Sequence, residues 1–258
     1  MPLVASVHSG AIVPPGRAVL AQQRRCGPKV ARYLPVAKVV RERCIETLGW
    51  PAGQMTVITN GIEPQRCLGG DPERGRRLLG AGPGPIVLML SRLERDKGVH
   101  IFVQAAAEVP GAQFVIAGEG PERENLLAAA AALGCADRLL LPGWIDATAD
   151  LLAAASIVAL PSFGEALPIS LLEAMAAGTP VVGSAIPGIE ELVRDGRSGL
   201  LAPPGDGTAL AAAISRLLSD DALAASLRTA AQELVRTEFS AATMVQRIAA
   251  VHAEVLAE

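Results

Sequence analysis

Aromatic residues are scarce in this 258-residue chain, which has two Trp, one Tyr and four Phe. Half of its residues are hydrophobic, so a buried core has to be built from aliphatic side chains. A chain of this length buries about 70–75% of the surface that it exposes when unfolded. We therefore expect a fold whose stability requires neither a disulfide nor a metal ion.

Cysteine is also infrequent. The four residues, Cys26, Cys44, Cys67 and Cys135, are widely spaced, and none belongs to a C-x-x-C pair or to a Cys/His cluster with zinc spacing. This spacing argues against a disulfide framework and against a zinc site. We interpret the four residues as small buried hydrophobes or as reduced thiols.

Long hydrophobic runs are lacking as well. The stretch 151–160 is among the longest and falls far short of the ~18 residues that a membrane span needs. No basic stretch followed by an apolar one, which is typical of a signal peptide, occurs at the N-terminus. We therefore predict a cytoplasmic protein, with peripheral contact at the inner face of the membrane as a second expectation.

The net charge of −3 is unevenly distributed. Residues 1–48 contain eight Lys or Arg and two acidic residues, so this stretch is basic and the remainder is acidic. A basic segment suits an anionic lipid or a phosphorylated substrate. The alternative is a solvated helix face. We expect no nucleic acid partner.

Short aliphatic runs alternate with amphipathic or Ala-rich segments of helix length through most of the chain. The predicted strands are 85–90, 113–117, 138–141, 156–160, 180–183 and 199–202, and the predicted helices are 99–108, 122–133, 147–155, 168–177, 188–194 and 207–218. Continuous apolar strands that alternate with helices are typical of a parallel sheet with both faces covered. The fold class is therefore α/β, a Rossmann-like, doubly wound parallel sheet over 85–236.

The remaining segments divide into three parts. Residues 63–84 are rich in Pro and Gly and predict a linker that holds one short basic helix. Residues 1–62 predict about two βα units and a strand, at 3–7, 33–36, 38–48 and 55–58, with a Pro/Gly loop and a basic helix near their start. So little sheet indicates only the remnant of an N-terminal domain. Residues 237–258 predict a last helix, at 241–256.

Ligands of an open α/β sheet bind beyond the carboxyl ends of its strands, where the loop 91–98 follows the first strand of the main domain. This loop lacks the G-x-G-x-x-G of a dinucleotide site, which argues against a dehydrogenase. It carries Arg92 and Lys97, and a guanidinium and an ammonium group suit a diphosphate. The alternative is ordinary surface charge.

A second loop, 162–167, leads into the helix predicted to begin at Pro168. The N-terminus of a helix offers free N–H groups and the positive end of a dipole, which favour a phosphate or sugar oxygens. Glu165 lies in this loop and Glu173 lies in the helix, so one carboxylate could hold a hexose and the other a ribose. The alternative for Glu173 is a surface position, although its neighbours are apolar.

The third loop, 118–121, contains a lone G-x-G, which is usually only a tight turn. No D-x-D sequence occurs in the chain, so a metal-bridged diphosphate is not indicated.

Together these segments resemble glycosyltransferase family 4, the large retaining family with the GT-B fold among the glycosyl transferases group 1. The loop 91–98 is similar to the family's G/S-R-L-x-x-x-K-G loop, and 161–182 is similar to its E-x7-E segment. The stretch 196–206 is similar to the D/N-G-x-x-G-x-L-x-x-P-x-D ending, and 60–62 resembles the N-G-I/V-D hinge. The resemblance covers the chain from about residue 4 to its end.

The resemblance implies a role for each matched residue. Arg92 and Lys97 would neutralise the donor diphosphate as it leaves. Glu173 would hold the ribose hydroxyls, and Glu165 would hold a hydroxyl of the donor sugar. His8 is similar to a family histidine near the transferring sugar.

The implied residues fall into two sets. Backbone N–H groups of the second loop would contact sugar and phosphate, and the turn at 143–145 would flank the base. The implied catalytic residues are Arg92, Lys97, Glu165 and His8, and the implied donor-binding residues are Arg92, Lys97, Gly143, Trp144, Ile145, Glu165, Ala166, Leu167, Pro168, Ile169 and Glu173.

The implied function is retaining transfer of a sugar, by front-face displacement, from a nucleoside-diphosphate sugar to a glycan or lipid acceptor. No metal and no cofactor are expected. Family members carry a whole N-terminal, acceptor-side domain, to which their last helix returns, and only its end is predicted here. The alternatives are a truncated or non-catalytic nucleotide-sugar-binding module and a GT-B epimerase. A dimer or a complementing chain would complete the partial domain.

Overall fold

The computed structural model describes residues 3–8, 21, 25 and 30–257. The predicted Pro/Gly loop and basic helix near the N-terminus lie outside the described residues, apart from positions 21 and 25, which are helical. Cys26 also lies outside them, whereas the other three cysteines are buried free thiols.

A small βα unit precedes the main domain. Strands β1 (Val4–Val7) and β2 (Arg32–Pro35) pair in parallel, and helix α1 (Lys38–Leu48) follows. The strand predicted at 55–58 is reduced to one bridge between Met55 and Tyr33. The Tyr33 ring stacks on Trp50 with 4.3 Å between centroids, and this pair contributes to a separate apolar cluster of the unit.

The segment 63–84, predicted as a linker, is folded against the main domain. It contains the 3-10 turn Pro64–Cys67 and the predicted basic helix, α2 (Pro72–Leu79). The Asp71 carboxylate caps α2 by accepting hydrogen bonds from two of its N–H groups. Asp150 of the main domain accepts a hydrogen bond from the Asp71 N–H at 2.8 Å and pairs with Arg74 at 2.7 Å, so this segment packs as part of the domain.

A six-stranded parallel sheet forms the centre of the main domain. Its strands are β3 (Ile86–Leu90), β4 (Gln113–Ala117), β5 (Leu139–Gly143), β6 (Ile157–Leu160), β7 (Val181–Ser184) and β8 (Leu200–Ala202). Their order is β5-β4-β3-β6-β7-β8, which is the Rossmann order with β3 as its first strand. The four residues 86–89 of β3 are fully buried, as a continuous apolar run predicts for a central parallel strand.

The helices connect and cover these strands. They are α3 (Val99–Glu108), α4 (Arg123–Ala132), α5 (Thr148–Ala154), α6 (Ile169–Ala177), α7 (Pro187–Glu190), α8 (Gly207–Ser219), α9 (Asp221–Glu238) and α10 (Ala241–Ala257). The predicted strands and helices of the sheet region end within two residues of these bounds, except the helix predicted at 188–194, which ends at Glu190. Helix α9 is additional to the predicted helices.

Helix α10 packs back onto the N-terminal unit. Val251 and Val255 of α10 form an apolar cluster with Leu34 and Ile58. The chain passes between the N-terminal unit and the main domain at two places, near Ile62 and near Phe239. These places are hydrogen-bonded to each other, since the Ile62 N–H donates to the Phe239 carbonyl oxygen at 3.0 Å. The unit is therefore attached at this crossing and through α10.

Candidate functional site

The strand order reverses direction between β3 and β6, which are neighbours in the sheet. In open α/β sheets a crevice forms at such a switch point, beyond the carboxyl ends of the strands. The loop that follows β3 carries Arg92 and Lys97, and the loop that follows β6 carries Glu165. The topology therefore brings the first two predicted loops to one place.

Lys97 and Glu165 form an ion pair across this switch point. The Lys97 ammonium donates to Glu165 Oε1 at 2.9 Å, and the Ser162 hydroxyl donates to the same oxygen at 2.8 Å. The side chains of Lys97 and Glu165 are only 16% and 13% exposed. A positive charge is thus held in a fixed position in a site that excludes much of the solvent.

The loop 91–98, called the cationic loop below, is also supported by Glu122 and the start of α4. The Leu93 carbonyl oxygen accepts a hydrogen bond from the Glu122 N–H at 3.1 Å. The Glu122 carboxylate contacts His100 Nε2 at 2.8 Å and accepts from the Asn125 side chain at 3.1 Å. These contacts lower the pKa of Glu122, with the Asn125 hydrogen bond as the largest cause.

Close backbone packing explains the lone G-x-G of the third loop. A Cβ at Gly118 would overlap the Ser91 carbonyl oxygen, and a Cβ at Gly120 would overlap that of Leu93. Neither glycine has a positive φ, so close approach is the reason for both. These glycines let the third loop lie directly against the cationic loop.

A cavity of about 720 Å³ opens above the switch point. Seven of the predicted site residues line it: His8, Arg92, Lys97, Glu165, Ala166, Leu167 and Ile169. Its opposite wall is one face of α1, from Val39 to Glu46. The cavity therefore lies between the main domain and the N-terminal unit and is large enough for a small organic ligand.

Two of these residues are more open to solvent than the ion pair. The Arg92 side chain is 66% exposed and is paired with Glu94. His8 follows β1, is exposed and contacts the Ser6 hydroxyl at 2.9 Å. Both residues therefore lie on the solvent-exposed side of the cavity.

The N-terminus of α6 also faces this cavity, through Ile169. Pro168 occupies the N-cap position and provides no side-chain hydrogen bond to the helix. Pro168 itself does not line the cavity. The first N–H groups of α6 consequently have no side-chain cap from that position, as an anion-binding helix N-terminus requires.

Glu173 lies farther along α6 and does not line this cavity. It is half-buried, and burial raises the pKa of its carboxyl group. Its charge also contributes, after burial, to a Cys67 pKa raised to about 11. Within the described part of the chain no hydrogen bond or ion pair to the Glu173 carboxylate is found, so its oxygens can accept from a ligand.

The turn Gly143, Trp144 and Ile145 lies outside the cavity lining too. Gly143 has a φ of 88°, and a Cβ there would lie 3.8 Å from the Glu119 carboxylate. Trp144 is 69% exposed. The structure thus groups seven predicted residues in the cavity and leaves this turn, Pro168 and Glu173 outside its lining.

Several residues of the site were not predicted from the sequence. They include Glu42, Arg43 and Glu46 on α1, and Asn60, Asp96, Phe163 and Gly188. The i, i+4 spacing of Glu42 and Glu46 shows that they share one face of a helix. Nothing in the sequence shows that this face lies opposite Lys97, because that depends on how the two units pack.

No group of three or more His, Cys, Asp or Glu side chains is arranged as a metal site in 3–8, 21, 25 and 30–257. In the same ranges, no helix combines the length and hydropathy needed to span a bilayer.

Comparison with known proteins gives one family. The family model described as "Glycosyl transferases group 1" matches residues 75–234. The lipopolysaccharide core biosynthesis glycosyltransferase LpsE of Rhizobium meliloti is 33% identical over 76% of this chain and 56% of its own length. The D-inositol 3-phosphate glycosyltransferase of Acidothermus cellulolyticus is 33% identical over 98% of this chain and 60% of its own length. The chain thus spans only slightly more than half the length of either relative.

Solved structures give the same match in three dimensions. The Anabaena protein Alr3699/HepE in complex with UDP-glucose superimposes with a TM-score of 0.91 at 26% identity, over 98% of this chain and 72% of that one. The sucrose-phosphate synthase of Thermosynechococcus elongatus superimposes with a TM-score of 0.84 at 27% identity, over 98% of this chain and 68% of that one.

Proposed function

The chain belongs to the glycosyl transferases group 1, and we propose that it binds a nucleoside-diphosphate sugar in the cavity at the switch point. We further propose that it transfers the sugar, with retention, to a glycan or lipid acceptor. The ion pair of Lys97 with Glu165, held by Ser162 at the end of β6, is the observation that carries the proposal.

The cation of this pair supplies the electrostatic part of the mechanism. A nucleoside diphosphate gains negative charge as the bond between its phosphate and the sugar breaks. Lys97 is already oriented by Glu165, so its ammonium group can stabilise that charge without reorganising. Removing one such donor from an enzyme typically slows the reaction by about 100- to 1,000-fold.

Arg92 and the N-terminus of α6 would add to this stabilisation. Arg92 lines the cavity with an exposed guanidinium group, which can form a bidentate contact with phosphate oxygens. Backbone N–H groups from Ala166 to Ile169 would contact the sugar and the phosphate. No metal ion is required in this proposal, because these groups carry the opposing charge.

The remaining donor contacts follow from the position of each group. Glu165 would accept a hydrogen bond from a hydroxyl of the donor sugar, and Glu173 would accept from the ribose. The exposed Trp144 would flank the base. His8, on the opposite side of the cavity, would lie near the transferring sugar.

An alternative is a nucleotide-sugar-binding module that transfers nothing. Within the described residues, the sheet of the N-terminal unit has two strands. One face of α1 supplies most of the wall opposite the donor loops. A further proposal is contact with an anionic membrane surface, which could supply an acceptor. Another is a dimer or a complementing chain, which could also supply one.

The first experiment is a calorimetric panel of UDP, GDP, ADP and their common sugar conjugates against the purified chain. UDP-glucose is the first probe, because HepE is solved in complex with it. Saturable binding of one nucleotide supports the donor site and identifies the base. No binding of any of them contradicts the proposed function.

A second assay separates the two functions. Donor that binds and is consumed in the presence of a glycan or lipid acceptor, with release of nucleoside diphosphate, supports transfer. Donor that binds but remains intact with every acceptor supports the non-catalytic module. Conversion of the sugar without an acceptor would favour an epimerase.

A further inference from the structure

Helix α1 lacks an N-terminal cap of its own. Its N-cap residue is Ala37, which provides no side-chain hydrogen bond, and its first turn has no acidic residue. By contrast α2, α8 and α9 are each capped by an aspartate at the N-cap position. The N–H groups at the start of a helix need acceptors, so those of α1 require a partner from elsewhere.

Glu191 of the main domain is that partner. Its two carboxylate oxygens accept hydrogen bonds from the Lys38 N–H at 2.9 Å and from the Val39 N–H at 3.0 Å. A bidentate carboxylate at the positive end of a helix dipole is a favourable arrangement. The residues that form it are more than 150 positions apart in the chain, and they belong to the two units on either side of the cavity.

Glu191 directly follows α7, and α7 packs tightly against the loop of Glu165. A Cβ at Gly188 of α7 would overlap the carbonyl oxygens of Glu165 and Ala166. A movement of α7 is therefore transmitted to the loop that holds Glu165. Glu191 thus connects that loop to α1 through a short and closely packed path.

The contact between Glu191 and α1 is separate from the crossing where the chain passes between the two units. The crossing joins the units through the backbone of Ile62 and Phe239, and Ala166 packs against the apolar cluster of the N-terminal unit. The face of α1 from Val39 to Glu46 forms the wall opposite Lys97 and Glu165. The position of α1 consequently sets the width of the cavity.

We propose that Glu191 is a positioning residue: its carboxylate caps α1 and thereby fixes the wall of the cavity that faces Lys97 and Glu165. This role rests on the proposed function, because it concerns the site in which the donor and acceptor would meet. Glu191 itself does not line that cavity. The physical coupling of α1 to the loop of Glu165 can be tested without any ligand.

The test compares Glu191→Gln with Glu190→Gln by hydrogen exchange of the whole ligand-free chain. Glutamine has one acceptor oxygen and places an NH₂ group against the second N–H of α1. Glu190 is exposed, lies next to Glu191 and has no bond to α1 in the described part of the chain, so it is the matched control. We expect exchange at the start of α1 and in residues 162–167 to become about tenfold faster in Glu191→Gln only.

A second variant distinguishes positioning from simple capping. Ala37→Ser in the Glu191→Gln background gives α1 a local cap. We expect it to restore slow exchange in α1 and to leave residues 162–167 fast. Recovery of both segments, or unchanged exchange in 162–167 of Glu191→Gln, would overturn the proposal.

The same variants separate this proposal from the proposed function. The probe is UDP-glucose or whichever sugar nucleotide the panel identifies. If it binds to the wild type, it should slow hydrogen exchange in both α1 and residues 162–167. In Glu191→Gln it should slow exchange only in residues 162–167. Donor protection of α1 that persists in Glu191→Gln would contradict the coupling. If no nucleotide binds to the wild type, the proposed function fails, and the ligand-free comparison still decides the role of Glu191.

Discussion

At the scale of single residues, the site depends on charges held in partly buried positions. Lys97 is paired with Glu165 and little exposed, so removing Lys97 leaves the Glu165 carboxylate without its opposite charge. Glu173 has no such partner among the described residues, and burial alone raises its pKa. The two residues therefore lead to different predictions.

We predict that Lys97→Ala weakens donor binding at least about tenfold, because it removes a charge-assisted contact to the diphosphate. The loss of the pair should lower the free energy of unfolding by about 3–5 kcal/mol, because the little-exposed Glu165 carboxylate is left without its opposite charge. Arg95→Ala is the matched control, since Arg95 lies in the same turn, is largely exposed and does not line the cavity. Equal affinities of wild type and Lys97→Ala by calorimetry would remove Lys97 from the site.

Glu173→Gln should weaken donor binding about tenfold while raising the melting temperature at pH 7. The folded-state pKa of Glu173 is raised above its ordinary value of 4.5, so between those two values the folded protein binds more protons than the unfolded chain. The wild type therefore loses stability as pH rises through that window. Gln does not titrate, and the difference in melting temperature should disappear as pH falls toward 4.5.

Donor binding gives a second readout of Glu173. Ribose hydroxyls donate to the ionised carboxylate, so donor affinity of the wild type should fall as the pH is lowered through the folded pKa of Glu173. The affinity of Glu173→Gln should lack this dependence. A melting temperature of Glu173→Gln below that of the wild type at pH 7 would show that the carboxylate has a stabilising partner.

At the scale of elements, the site is formed by loops that are fixed by close backbone contacts. Helix α7 is one short turn, yet Gly188 brings it against the loop of Glu165. The same short element precedes Glu191. Small residues at such contacts matter because any added atom has to displace backbone.

Gly188→Ala should therefore disturb the donor site. We expect a loss of about 1–3 kcal/mol in the free energy of unfolding, because the added Cβ forces α7 away from the carbonyl oxygens of Glu165 and Ala166. Donor affinity should fall with it. Gly53→Ala is the control, because a Cβ at Gly53 meets no atom within 4 Å. Denaturant unfolding and calorimetry measure both effects, and a Gly188→Ala chain as stable as Gly53→Ala would contradict this packing.

At the scale of the whole molecule, two units share one cavity and are joined by the last helix. Helix α10 belongs in sequence to the end of the main domain but buries Val251 and Val255 against Leu34 and Ile58 of the N-terminal unit. The N-terminal unit has a small core. Its attachment through α10 is therefore a large part of what keeps α1 opposite the donor loops.

We predict that Val251→Asp separates the N-terminal unit from α10. A carboxylate placed in this apolar cluster lacks a partner there and costs roughly 2–4 kcal/mol. Val245→Asp is the control on the same helix, because Val245 is 57% exposed. Hydrogen exchange should show faster exchange in β2 and α1 for Val251→Asp alone, with the six-stranded sheet unchanged. Loss of protection throughout the sheet would show instead that the two units unfold together.

The sequence by itself determined the main sheet and the charged residues that its two central loops carry. Continuous aliphatic runs between helix-length segments specify buried parallel strands, since each run has to be covered on both faces. The order of those segments then places 91–98 and 162–167 at strand ends. For this reason the sequence alone predicts that Arg92, Lys97 and Glu165 lie at one edge of the sheet.

Only the tertiary structure decided which groups meet. The pairing of Lys97 with Glu165, the packing of segment 63–84 on α5 and the capping of α1 by Glu191 all join residues far apart in the chain. Their partners are chosen by how elements pack, and local sequence patterns carry no information about that choice. The position of α1 across the cavity is the clearest case. A polar helix face has the same sequence pattern whether it faces solvent or a donor site.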